Sequence, residues 1–223
     1  MRKVTPPDPG LAVARYGRLA PNYDRATRRA APVRARAVAA LGLQPGDTVL
    51  DVACGTGVCF PLITERIGPT GRLIGVEMSP AMIAQARARV DAHGWTNVTL
   101  IEAPMESARL PGPWDAALFH FTQDVLRSPA ALANTFAQAR PNARVALAGT
   151  KLFKWWLAPL NLYIWLANWS YVTTFEGLSR PWSLLQEEYV PDLAIEPVWF
   201  GASYVASGRV GASRAKRGAQ IPA

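Results

Sequence analysis

The sequence predicts one α/β domain: a doubly wound, three-layer fold whose seven-stranded, largely parallel sheet carries helices on both faces and ends in an antiparallel last strand. Three observations carry that reading. Short β-branched apolar runs alternate with helical stretches, serine–proline pairs open two of those helices, and the last two strand-like runs are separated by a single glycine. That gap is too short for a helical crossover, so the two runs must be antiparallel neighbours.

The elements follow in order. From Thr48 to Ala53 the run TVLDVA is short and apolar, as a strand buried on both faces must be. Similar runs recur at 72–77 (RLIGVE), 97–103 (NVTLIEA), 115–121 (DAALFHF) and 143–149 (ARVALAG). Ser79 and Pro80 read as an N-cap with proline at the first helical position, opening a helix that stops near Gly94 with His93 as a C-terminal cap residue. Ser128 and Pro129 repeat the device, and Pro141 is expected to end that helix. LAIEPVWF (193–200) and ASYVASG (202–208) form the reversed pair. Residues 1–208 are read as one domain, with 1–40 as an N-terminal helical cap, 150–182 as an aromatic lid insertion and 209–223 as a basic, disordered tail.

Composition agrees with a packed globular chain. Half of the 223 residues are hydrophobic and 18% are charged, enough to build a core without staples. Cys54 and Cys59 lie within one short turn where a bridge would be strained, so they read as reduced thiols of a cytoplasmic protein. Pro6, Asp8 and Pro9 interrupt the stretch in which a signal peptide needs an apolar run. The net charge of +8 is uneven: residues 1–36 hold nine Lys or Arg against Asp8 and Asp24, residues 209–223 hold four against none, and the middle is slightly acidic. Basic ends can attract anionic lipid or nucleic acid. No base-reading motif or aromatic-interleaved basic stripe accompanies them, so a nucleic-acid partner is not expected, and no feature fixes an oligomeric state.

The most informative stretch is Val49-Leu50-Asp51-Val52-Ala53-Cys54-Gly55-Thr56-Gly57. A strand ending in small residues lets backbone approach a ligand closely, at the carboxyl edge of an open sheet where ligands sit. Twenty residues after Gly57, Glu77 closes the second strand, where a carboxylate can take both hydroxyls of a ribose. The pair points to an adenosyl ligand. A dinucleotide would ask for glycine at the third position of G-x-G-x-x-G, which here falls on Phe60, a ring that would obstruct a pyrophosphate. Asp51 would likewise repel a pyrophosphate and suits an ammonium group.

At these residues the chain resembles the class I S-adenosylmethionine-dependent methyltransferases, a Rossmann-like family. Asp51, Ala53, Gly55 and Gly57 fit its first motif, with alanine at the first glycine position, and Glu77 matches its ribose-binding acid. The resemblance covers residues 44–149 well and the remainder loosely. Tyr16 to Asp24 (YGRLAPNYD) is similar to the quinone and phospholipid methyltransferases of this class, which implies that Tyr16 and Tyr23 close over the cofactor. Many relatives place an adenine-binding aspartate after the third strand, where this chain has Ala103-Pro104-Met105-Glu106. Met105 is then expected to pack on the adenine and Glu106 to meet its amino group, with the alternative that Met105 is core and Glu106 caps a turn. Met78 and Phe119 complete the expected cofactor set.

The resemblance implies S-adenosylmethionine as cofactor and methyl transfer to a small hydrophobic or lipid-like acceptor through oxygen, nitrogen or carbon. A non-catalytic binding protein is the alternative, and an NAD-dependent oxidoreductase comes third because of Phe60 and Asp51. If the acceptor must lose a proton, the base belongs at the end of the fourth strand, where His120 stands beside Asp124, which would orient it or cap a helix. A histidine that only packs is the competing account. Residues 151–182 hold five of the eight tryptophans. Lys154, Pro159, Asn161 and Asn168 rule out a membrane span, leaving a lid over the acceptor pocket as the preferred account and shallow insertion at the inner membrane surface as another. Tyr163, Tyr171, Glu176 and Trp182 are its acceptor-side candidates.

Overall fold

The computed structural model describes residues 9–153, 157–169 and 176–211. An N-terminal helical segment comprises α1 (Pro9–Leu19), α2 (Tyr23–Ala26) and α3 (Ala31–Ala40). There follow β1 (Thr48–Val52), α4 (Phe60–Ile67), β2 (Arg72–Glu77), α5 (Pro80–His93), β3 (Val98–Glu102), β4 (Trp114–His120), α6 (Gln123–Leu126), α7 (Pro129–Ala137) and β5 (Ala139–Thr150). The chain ends with α8 (Ala158–Asn168), α9 (Ser183–Glu188), β6 (Ala194–Val198) and β7 (Ser203–Arg209).

The strands form one seven-stranded sheet in the order β3-β2-β1-β4-β5-β7-β6. Only β7 is reversed: it pairs antiparallel with β5, from Arg144 opposite Arg209 to Thr150 opposite Ser203, and antiparallel with β6 on its other side. The strand order reverses direction between β1 and β4, which opens a crevice beyond the carboxyl ends of those two strands. Alternation of side chains along each strand feeds two cores. One face packs Val49, Leu73 and Leu118 under α3 and α4; the other packs Leu50, Ile74 and Phe119 under α7 and α9.

Two boundaries differ from the sequence expectation. The helix opened by Ser128 ends at Ala137, and Pro141 lies inside β5, which begins four residues earlier than expected. Register between β4 and β5 shifts between Trp114 and Ala116, and Asn142 there has φ 59°, so the proline sits at an irregularity where no ladder donor is needed. Ser128 caps α7 by accepting from the Ala131 N–H at 3.2 Å. Ser79 occupies the N-cap position of α5 without that side-chain bond; its backbone N–H is committed elsewhere. Among the described residues, no helix is long and apolar enough to cross a membrane.

Candidate functional site

The turn after β1 forms the floor of the crevice. Asp51 is buried there, its Oδ2 without a hydrogen-bond partner. Burial, reinforced by the nearby Glu77 charge and opposed by Arg34, raises its pKa to about 8. Ala53 then adopts φ 52°, a left-handed conformation that costs a non-glycine residue roughly 1–2 kcal/mol. Gly57 has no substitute: its φ is 72°, and a Cβ there would lie 2.6 Å from the Phe60 ring.

Glu77 binds the far side of the same turn. Its Oε2 accepts from the Gly55 N–H at 3.0 Å and its Oε1 from the Ser79 N–H at 2.8 Å. Burial raises its pKa, and the donors of Ser79, Gly55 and Met78 work against that rise. The carboxylate therefore fixes the shape of the turn and also faces the cleft. The helical segment is fastened over this floor by Asp24. Its Oδ1 accepts from the Thr56 hydroxyl at 2.6 Å, its Oδ2 pairs with Arg89, and the Arg89 Nε donates to the Thr56 carbonyl at 3.0 Å.

Two cavities adjoin. The first, about 690 Å³, runs between Ala53, Gly55, Glu77 and Met78 on the sheet side and Ala12, Val13, Tyr16 and Tyr23 on the helical side. The second, about 1120 Å³, is bounded by Arg34, Thr150, Ile164, Trp199 and Ser203. Tyr16, Tyr23, His120, Phe121 and Gln123 line both. The two tyrosine rings meet edge to face with centroids 6.2 Å apart. His120 ends β4 with its Nε2 buried and unpartnered; burial, then the Arg34 charge, lowers its pKa to about 3. The ring is neutral near pH 7 and is a weak proton acceptor.

The donor set fits S-adenosylmethionine. A buried carboxylate oxygen with no partner suits its ammonium, and a second carboxylate beside exposed turn backbone suits its ribose. A family model for methyltransferase domains matches residues 49–142. The chain is similar to a 2-phytyl-1,4-naphthoquinone methyltransferase of Trichormus variabilis, at 28% identity over 144 residues, covering 59% of this chain and 61% of that one. It is also similar to a demethylmenaquinone methyltransferase of Symbiobacterium thermophilum, at 31% over 121 residues, covering 52% and 48%. A solved structure, a DhpI complex with S-adenosylhomocysteine, shares the fold with a TM-score of 0.61 at 17% identity, covering 91% of this chain and 97% of that one. The match to the methyltransferase-domain family takes in the turn after β1, Glu77 and the strands as far as the start of β5. The chain spans 61% or less of the length of these curated relatives.

The expected site residues divide. Ala53, Gly55, Glu77, Met78, Tyr16, Tyr23 and His120 line the first cavity, with Asp124 in the first turn of α6 beside them. Asp51 and Gly57 support it from below. Others lie elsewhere. Met105 is packed in the core with its carbonyl accepting from Asn134, and Glu106 accepts from the Ser128 hydroxyl at 2.8 Å, because the loop after β3 folds onto α7. Phe119 points into the core, stacked on Phe136, since alternation along β4 sends it opposite to His120. Phe60 turns inward beneath Gly57 and Gly75, so the ring fills the core under the turn instead of standing in the ligand's path.

On the acceptor side, Trp182 is buried against Tyr204 and Glu176 pairs with Arg127 at 3.7 Å, and neither lines either of the two cavities. Tyr171 and the side chain of Tyr163 lie outside the described residues. Sequence reasoning missed Thr56, Arg89, Gln123 and Arg34. Arg34 had a readable signal: it stands with Val33, Ala37 and Val38 at helical spacing, an arginine on an apolar face.

Proposed function

We propose that this methyltransferase transfers the methyl group of S-adenosylmethionine to a hydrophobic, lipid-like small molecule seated in the second cavity. The observation that carries the reading is the shared wall: ligands in the two cavities would meet at Tyr16, Tyr23, His120, Phe121 and Gln123. Asp51, the 53–57 turn, Glu77 and Met78 would hold the cofactor, with Tyr16 and Tyr23 closing over it. When bound, S-adenosylmethionine supplies a methyl group on a cationic sulfur, whose displacement needs alignment and exclusion of water more than a proton acceptor. The chain's part is to align, to keep the shared wall dry, and to offer the neutral His120 ring as a hydrogen-bond partner to the acceptor. The names of the curated relatives, which specify a phytyl-naphthoquinone and demethylmenaquinone, support a lipid with a polar ring.

Such an acceptor lives in membranes, and the surface around the second cavity suits one. On α8 only Ile164 is buried among the described side chains, while Leu160, Leu162, Trp165 and Leu166 are exposed. Beside it, Phe200 is fully exposed at the turn between β6 and β7 and Trp199 reaches both surface and cavity. Exposed Arg18, Arg25, Arg28 and Arg29 on the helical segment complement anionic headgroups. We assign this apolar face to an anionic phospholipid surface, with α8 covering the acceptor through Ile164.

Calorimetry with S-adenosylhomocysteine and with NAD tests the cofactor, and transfer of labelled methyl to a lipid extract tests the reaction. Binding of the first ligand alone and label in the organic phase are expected. Binding without transfer to any extract would leave a cofactor-binding protein. Cosedimentation with phosphatidylglycerol vesicles should be lost in a Leu166→Glu, Phe200→Glu double variant; a chain that never sediments with them has no lipid face.

A further inference from the structure

A buried cation faces the second cavity and has no counter-ion among the described residues. Arg34 sits on the inward face of α3 with 8% of its surface exposed, its Nε makes no hydrogen bond, and it borders the cavity with His120 and Thr150. Among the described residues it takes part in no ion pair. A guanidinium cannot shed its proton, so burying it unpaired is costly unless something arriving from outside meets it.

The candidates within the chain do not. Asp51 feels the Arg34 charge across space, yet its Oδ2 makes no hydrogen bond and it forms no ion pair with Arg34. The Cys59 thiol beside Arg34 is kept neutral by burial and brings no charge. His120 is neutral as well. A cavity with a buried positive charge at Arg34, a second and solvent-exposed cation at Arg29, a neutral imidazole, the Gln123 amide and otherwise apolar or hydroxyl walls is built for an anion attached to an apolar body.

We infer that Arg34 receives an anionic oxygen of the acceptor, which narrows the substrate to hydrophobic molecules bearing a phenolate, enolate or carboxylate. This rests on the methyltransferase reading above and adds the charge of its substrate. It also resolves the weakness of His120 as a base: a hydroxyl that ionises against Arg34 gives its proton to solvent on binding, and no residue has to hold it.

The test uses the full chain saturated with S-adenosylhomocysteine and the probe 4-nitro-1-naphthol, whose phenolate absorbs at longer wavelength than the phenol. Bound to the wild type, the probe should ionise at least about one pH unit lower than in solution, equivalent to a tenfold preference for the anion. Its methyl ether should bind at least about tenfold more weakly than the phenolate. In Arg34→Met the shift and the preference should vanish, and Arg34→Lys should keep part of both. A midpoint that stays or rises in the wild type, an ether that binds equally well, or a probe that does not bind overturns the assignment, whatever the variants do. Failure of the wild type to bind S-adenosylhomocysteine would instead overturn the methyltransferase reading.

Discussion

The two halves of the site are held in different ways. Around the turn after β1, backbone and carboxylates are tied to one another: Glu77 accepts from Gly55 and Ser79, and Asp24 joins Thr56 to Arg89. Around the second cavity, the walls come from α8, the β6–β7 turn and α3, and two buried nitrogens there, Arg34 Nε and His120 Nε2, make no hydrogen bond. A fixed polar frame demands one ligand of one shape, whereas an apolar cavity with a single buried charge sorts ligands by hydrophobicity and sign. On the proposed reading, the first half would hold the cofactor and the second would choose the acceptor.

The comparison breaks most sharply at Glu77. Because the carboxylate both lines the first cavity and holds the turn, Glu77→Ala should weaken S-adenosylhomocysteine binding by roughly a hundredfold, the loss of two hydrogen bonds to a charged group at about 1.5–3 kcal/mol each, partly replaced by water. Calorimetry measures it, and an unchanged dissociation constant would remove Glu77 from the site. Next comes Asp51. With a pKa of about 8 in the fold against 3.8 for a free aspartate, it is protonated in the fold and ionised in the unfolded chain between those values. Its contribution therefore opposes stability increasingly as pH rises from about 4 to about 8. Asp51→Asn should melt several degrees higher than wild type at pH 8 and together with it at pH 4, while binding the cofactor less well. Equal melting at pH 8 would mean the carboxyl is not stressed. Smaller again, Asp24→Ala should cost about tenfold in S-adenosylhomocysteine affinity, by loosening the helical segment from Thr56 and Arg89. Faster amide exchange in residues 9–26 should accompany it; unchanged exchange would show that the segment is held without Asp24.

The cofactor half was legible because its residues are local. Asp51, Gly55, Gly57 and Glu77 lie within a strand–turn–helix–strand unit whose spacing reports their meeting, and the reversed β7 followed from a connection too short for a helix. Long-range pairings left no such mark. Asp24 and Arg89 are 65 residues apart, and Arg34 reaches the cavity only once α3 packs on the sheet. Phe60 was read as an obstruction because a sequence gives its position without its direction; packing sends the ring beneath Gly75. The same limit placed Met105 and Phe119 at the ligand when both are core.

Glu106 sharpens the boundary of the cofactor half with the smallest expected effect. By analogy it should have met the adenine amino group, yet its Oε1 is taken by the Ser128 hydroxyl, the group that also caps α7. A carboxylate on an exposed loop that is already hydrogen-bonded gains little by reaching for a ligand, since it exchanges one partner for another. Glu106→Ala should therefore leave S-adenosylhomocysteine affinity within about twofold of wild type and lower stability by well under about 1 kcal/mol, because Ser128 keeps its bond to Ala131. A tenfold loss of affinity would mean that the loop after β3 swings from α7 to the cofactor on binding. The frame around the turn would then extend one strand further than the unliganded fold places it.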